Sequence, residues 1–140
     1  MQKLLISLML LTASFSYAHS EAEMAAMVAP HGGQLKMVGW YHFELVSKGQ
    51  QVNLYLSDHA GTPKPSKDVK GTVTVLDGTQ KQEVTFTPLA PNQLRAQLSR
   101  KPSKNAQLEV KLTFPDGRSE QAQFDLQAPA KPAANHSQHH

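Results

Sequence analysis

Residues 34–58 read QLKMVGWYHFELVSKGQQVNLYLSD, and the period of this stretch decides the fold class. From Trp40 to Ser47 the chain alternates: Tyr41, Phe43 and Leu45 fall on one side, His42 and Glu44 on the other. Gln51–Ser57 repeats the pattern, with Val52, Leu54 and Leu56 on one face and Asn53, Tyr55 and Ser57 on the other. Successive side chains of a strand point to opposite faces, so a period of two reads as β-strand. Gly39 separates Gln34–Val38 from Trp40–Ser47 and predicts a tight turn or bulge between two strands.

The same signal runs on. Val69–Leu76 is rich in β-branched residues and ends at Asp77-Gly78, a hairpin cue. Gln82–Thr87, Gln93–Leu98, Ala106–Phe114 and Ser119–Leu126 follow, and Pro115-Asp116-Gly117 turns the last pair. About eight short strands with turn residues between them predict an all-β, antiparallel, immunoglobulin-like β-sandwich. Phe43, Leu45, Val52, Leu54, Leu56, Val73, Val75, Val84, Phe86, Leu108, Val110, Leu112 and Phe124 are its expected core.

Outside this core the chain changes character. Met1-Gln2-Lys3, an apolar run from Leu4 to Leu11 broken only by Ser7, and the Ser16-x-Ala18 pattern read as a cleaved export signal over residues 1–18. The apolar run is shorter than the about 20 residues that span a bilayer. Residues 19–33 are expected to form an arm ending in a His-Gly-Gly turn, residues 34–126 the sandwich, and residues 127–140 an Ala/Pro linker with a histidine-rich tail. The processed chain is expected in the periplasm, soluble, beginning at His19.

Composition narrows the chemistry. Removing 18 of 140 residues leaves one domain's worth of chain, and losing Lys3 takes the formal charge from +3 to +2. The basic residues are scattered, which gives nucleic-acid binding little support. There is no cysteine, so disulfides, thiolate metal sites and thiol catalysis are excluded. The seven histidines fall into the first third and the extreme tail, with none between Ala60 and Asn135.

Two groups of metal-ligating residues result. In the domain, His31, His42, Glu44 and His59 are candidates, with Asp58 alongside. His42 and Glu44 share a strand face at a Cα spacing of roughly 7 Å, which leaves room for one ion between them. His31 opens the turn before the first hairpin and His59 follows the next strand. At the ends, His19 would offer an α-amine and an imidazole to one ion as a chelate, and His136, His139 and His140 form a weakly chelating tether. Imidazole with carboxylate suits Cu(II) first and Zn(II) second. Met24 and Met27 stand three apart, a spacing that fits an apolar patch docking on the domain better than a Cu(I) site. Ser57-Asp58-His59 are consecutive and so point in different directions, which reads as turn chemistry rather than a catalytic triad.

The segments His31-Gly32-Gly33-Gln34, Tyr41-His42-Phe43-Glu44-Leu45-Val46 and Leu54-Tyr55-Leu56-Ser57-Asp58-His59-Ala60-Gly61-Thr62-Pro63 carry a resemblance. Together they resemble small periplasmic metal-binding proteins associated with heavy-metal efflux, and the amino-terminal domain of some periplasmic adaptor subunits of those pumps. The likeness extends in outline over residues 31–126 and implies a β-domain that handles metal, with His31 and Glu44 matching the pattern and His42 and His59 added by this chain. Without a helical hairpin or lipoyl-like half, the chain is not itself an adaptor. A terminal histidine on a sandwich also resembles copper-resistance carriers, whose methionine-rich loop is lacking here. The expectation is a non-enzymatic protein that buffers Cu(II) or Zn(II) or delivers it to periplasmic components of an efflux pump. The rivals are a protein–protein module of an envelope complex and a copper monooxygenase using the terminal histidine.

Overall fold

The computed structural model describes residues 29–127, and every strand lies within them. Nine strands form in chain order: β1 (Gln34–Val38), β2 (Tyr41–Lys48), β3 (Gln51–Asp58), β4 (Lys70–Asp77), β5 (Gln80–Thr85), β6 (Thr87–Leu89), β7 (Gln93–Gln97), β8 (Gln107–Thr113) and β9 (Ser119–Asp125). They build two antiparallel sheets, ordered β1-β2-β3-β7-β6 and β5-β4-β8-β9, packed face to face. The expected β-sandwich is the fold.

The core sits between the sheets. Phe43, Leu45, Val52, Leu54, Leu56, Leu94 and Ala96 line one inner face, and Val73, Val75, Leu108, Val110, Leu112, Ala122 and Phe124 the other; all are buried. Of the expected core residues, only Val84 remains partly exposed. It lies on β5, the edge of its sheet, where one flank has no strand beside it.

One expected strand is two. Gln82–Thr87 was one run by sequence, yet the chain leaves the smaller sheet after Thr85 and joins the larger one at Thr87. Phe86 makes the corner: its ring is buried and its N–H donates to the Gly71 carbonyl at 2.9 Å. Burying the ring at the junction keeps the corner inside the core while the strands on either side pair with different partners.

Edges β1 and β9 meet along one side of the sandwich. The Lys36 ammonium donates to the Gln123 carbonyl and the Gln34 amide donates to the Asp125 carbonyl at 2.8 Å. Side chains from one edge thus occupy carbonyls that the other edge would present to a foreign strand.

At the opposite end of β1, Gly39 and Trp40 form the two-residue turn closed by Val38 opposite Tyr41. Gly39 has φ +58°, as the first central residue of a hairpin turn of this length requires, and Glu120 of β9 lies where a Cβ would be. The positive φ is what disfavours a side chain here, since the Glu120 carboxylate is the end of a flexible chain and can move aside. The hairpin brings Met37 directly opposite His42, and β3 brings Ser57 to the other flank of His42.

Candidate metal site on the outer face of the larger sheet

The face of β2 turned away from the core carries His42 and Glu44, as the alternation predicts. It is not a solvent face. His42 is 1% exposed and Glu44 3%. Both sides of β2 are therefore covered, and truncating His42 removes a buried side chain rather than an exposed one.

Glu44 is held by the His-Gly-Gly turn. Its Oε2 accepts the backbone N–H of His31 at 2.7 Å and of Gly33 at 3.0 Å, while Oε1 lies 2.7 Å from His31 Nδ1. Gly33 packs so closely on the Leu45 carbonyl and Val46 that no Cβ fits there. The His31 ring completes the clasp by stacking on Tyr55, the cross-strand neighbour of Glu44, with centroids 3.6 Å apart and planes within 7°. A buried carboxylate is tolerated because charge-assisted hydrogen bonds surround it. The His-Gly-Gly and Glu elements of the resemblance are thus two halves of one structural clasp, and the chain enters the sheet through it.

His42 takes a different partner. Its ring stacks against that of His59, with centroids 5.0 Å apart and planes 23° from parallel. His59 reaches it from the turn after β3 and hydrogen-bonds through Nε2 to the Gly39 carbonyl at 3.1 Å. Asp58 builds that turn: its Oδ1 accepts the N–H groups of Ala60 and Thr62, both at 2.9 Å. These bonds, the Thr62 one first, hold the Asp58 carboxyl below its ordinary range, and Lys64 nearby adds to the effect. Asp58 thereby serves the loop, and Pro63 bridges back to Ser57 to close it.

The four domain candidates therefore divide into two pairs, His31 with Glu44 and His42 with His59. An ion between His42 and Glu44 would have to compete with three donors already on the carboxylate. Among the described residues no group of three or more His, Asp or Glu side chains is placed to hold one ion. His19, His136, His139 and His140 lie outside the described residues, as do Met24 and Met27. What sequence reading missed is Met37. It is the sole methionine of residues 29–127, placed beside His42 by the β1–β2 register. Residue 37 precedes the turn by as many positions as residue 42 follows it, so a hairpin centred on Gly39-Trp40 already implied the pairing.

Compared with family models, with curated proteins and with solved structures, the chain matches none.

Proposed function

We propose that this protein is exported to the periplasm and binds a transition-metal ion there, Cu(II) or Zn(II), to buffer it or deliver it to components of an efflux system. It acts in this reading as a binding protein, not an enzyme. The observation that carries the proposal is the stacked His42–His59 pair on the outer sheet face, where a buried imidazole and a turn-borne one lie side by side. Imidazole nitrogens are good ligands for both ions. Glu44 and His31 fit a ligand role poorly, because the clasp engages both. Their part is to hold the chain across the sheet that bears the pair. His19 and the tail residues His136, His139 and His140 extend the proposal as additional ligands.

Titrating the processed, untagged protein with Cu(II) and with Zn(II), followed by thermal melting, tests this reading. A ligand bound only by the native state raises the melting temperature by mass action. The rise should persist in a His31→Ala variant and shrink sharply in His59→Ala. A wild-type protein that neither binds these ions nor gains melting temperature from them would end the proposal.

A second reading, a protein–protein module, draws on Trp40. This side chain is 71% exposed at the tip of the first hairpin, with the Arg118 guanidinium 5.6 Å from its ring. A surface concavity of about 500 Å³ lies beside it, lined by Trp40, Tyr41, Asp58, Lys64 and Arg118. Tryptophan and arginine are the residues most often dominant in interface energetics. That module predicts no metal response at all, so the same titration separates the two.

A further inference from the structure

Met37 stands opposite His42 in the β1–β2 register, and His59 stacks on His42, all beside the Gly39-Trp40 turn. We propose that these three side chains form a site for a soft monovalent ion, Cu(I), in which the Met37 thioether is the third ligand. This deepens the metal-binding reading given above and rests on it.

Three placements support the assignment. Met37 and His42 are direct cross-strand partners on adjacent strands, so their side chains leave the same face with Cβ atoms about 4.5–5.5 Å apart. His59 stacks on His42 and bonds to the carbonyl of Gly39, two residues along the chain from Met37. His42 is buried and Met37 and His59 are partly buried, so the group lies at the boundary where an ion can enter yet shed most of its water.

The distances suit an ion. Two imidazoles on one metal with bonds of about 2.0–2.1 Å have ring centroids roughly 5–6 Å apart. His42 and His59 already stand 5.0 Å apart. Closing on an ion then requires the rings to turn rather than to travel. The ring that turns is His59, which rides on a loop, while His42 is fixed on β2, between β1 and β3 of the larger sheet. In the resting structure Nε2–H of His59 donates to Gly39, so Nδ1 carries the in-plane lone pair of that tautomer.

The third ligand chooses the ion. Thioether sulfur is soft and selects Cu(I), whereas Zn(II) gains little from it. Two imidazoles and one thioether make a neutral three-ligand set, which matches a monovalent cation that does not need carboxylate charge. Glu44, which shares the outer face of β2 with His42, is committed to the clasp.

The test measures Cu(I) affinity of the processed protein, anaerobically and with excess reductant, by competition with a chromophoric Cu(I) chelator. Ag(I), which does not change oxidation state, serves as the probe for NMR. Met37→Leu should weaken Cu(I) binding at least tenfold and leave Zn(II) binding within about twofold. His59→Ala should weaken both. Ag(I) should shift the Met37 methyl resonance and the His59 ring protons together, and a Met24→Leu, Met27→Leu double variant should retain that response. Unchanged Cu(I) affinity in Met37→Leu, with the His59→Ala loss intact, would overturn the thioether assignment while leaving the metal-binding reading standing. Absence of binding by Cu(I), Cu(II) and Zn(II) alike would remove both. Circular dichroism and melting of each variant in the absence of metal identify any loss caused by unfolding, and the Met37 methyl shift in the unmutated protein does not depend on a variant folding.

Discussion

Replacing Glu44 by alanine separates a structural carboxylate from a metal ligand. The side chain is 3% exposed and accepts two backbone N–H groups, from His31 and Gly33, as well as facing His31 Nδ1. Hydrogen bonds to a charged group are worth about 1.5–3 kcal/mol each. The two backbone bonds then amount to about 3–6 kcal/mol, and Gly33 is buried, so its N–H has little access to water once the carboxylate is gone. At about 4 °C per kcal/mol for a domain of this size, the melting temperature should fall by about 12–24 °C. Glu44→Gln keeps an oxygen for the backbone donors and should cost about half as much. Urea unfolding supplies the assay, with the midpoint reporting stability and an unchanged slope confirming that the unfolded state is the same. The metal response at a temperature where the variant is still folded should be unaffected. A Glu44→Ala protein that loses less than about 1 kcal/mol, or that keeps its stability and loses its metal, would refute the clasp and restore Glu44 to the ligand set.

Phe43→Ala should cost about 3–5 kcal/mol in urea unfolding, as for a fully buried aromatic, and His42→Ala on the opposite face should also destabilise, by about 2–4 kcal/mol, because that face is covered too. On acidification, Asp58, Asp77 and Asp116 should each withdraw support from their loops. Their carboxyls sit below the ordinary value of 3.8, held there chiefly by the N–H of Thr62, the N–H of Ser103 and the Arg118 side chain respectively. A depressed carboxyl stabilises the fold above its unfolded value and ceases to do so as pH falls through the folded one. Urea midpoints should therefore drop below about pH 3.8, and Asp58→Asn should flatten part of that slope. One extra residue before His19 should abolish any copper chelate made by the terminal amine while leaving each side chain in place, a change read from the Cu(II) absorption spectrum. Deleting residues 136–140 should lower the number of ions bound at saturation without moving the melting temperature of the metal-free domain.

The alternation of residues 40–57 was enough to assign the strands and to place Phe43, Leu45, Val52, Leu54 and Leu56 in the core, because a two-residue period admits only one face toward an apolar interior. The turn glycines did the same for the connections, since few residues adopt the backbone those hairpins need. The boundary at Phe86 was not legible. Gln82–Thr87 has the composition of a single strand, and only packing against both sheets shows that the chain must turn a corner there.

The candidate site was half legible for a related reason. Periodicity states which residues share a face, so His42 and Glu44 were correctly grouped. It does not state what lies on that face. The His-Gly-Gly turn folds back over β2 and takes the Glu44 carboxylate for its own N–H groups, while the loop built by Asp58 swings His59 onto His42. These contacts join residues 11 or more positions apart, or depend on the path of a loop, and no local pattern encodes them. The sequence by itself determined the strands, their inward faces and the histidines available. The tertiary structure decided that one carboxylate became a clasp, that two imidazoles became a pair, and that Met37 stands beside them, because side-chain partners across a sheet are set by register and loop closure rather than by period.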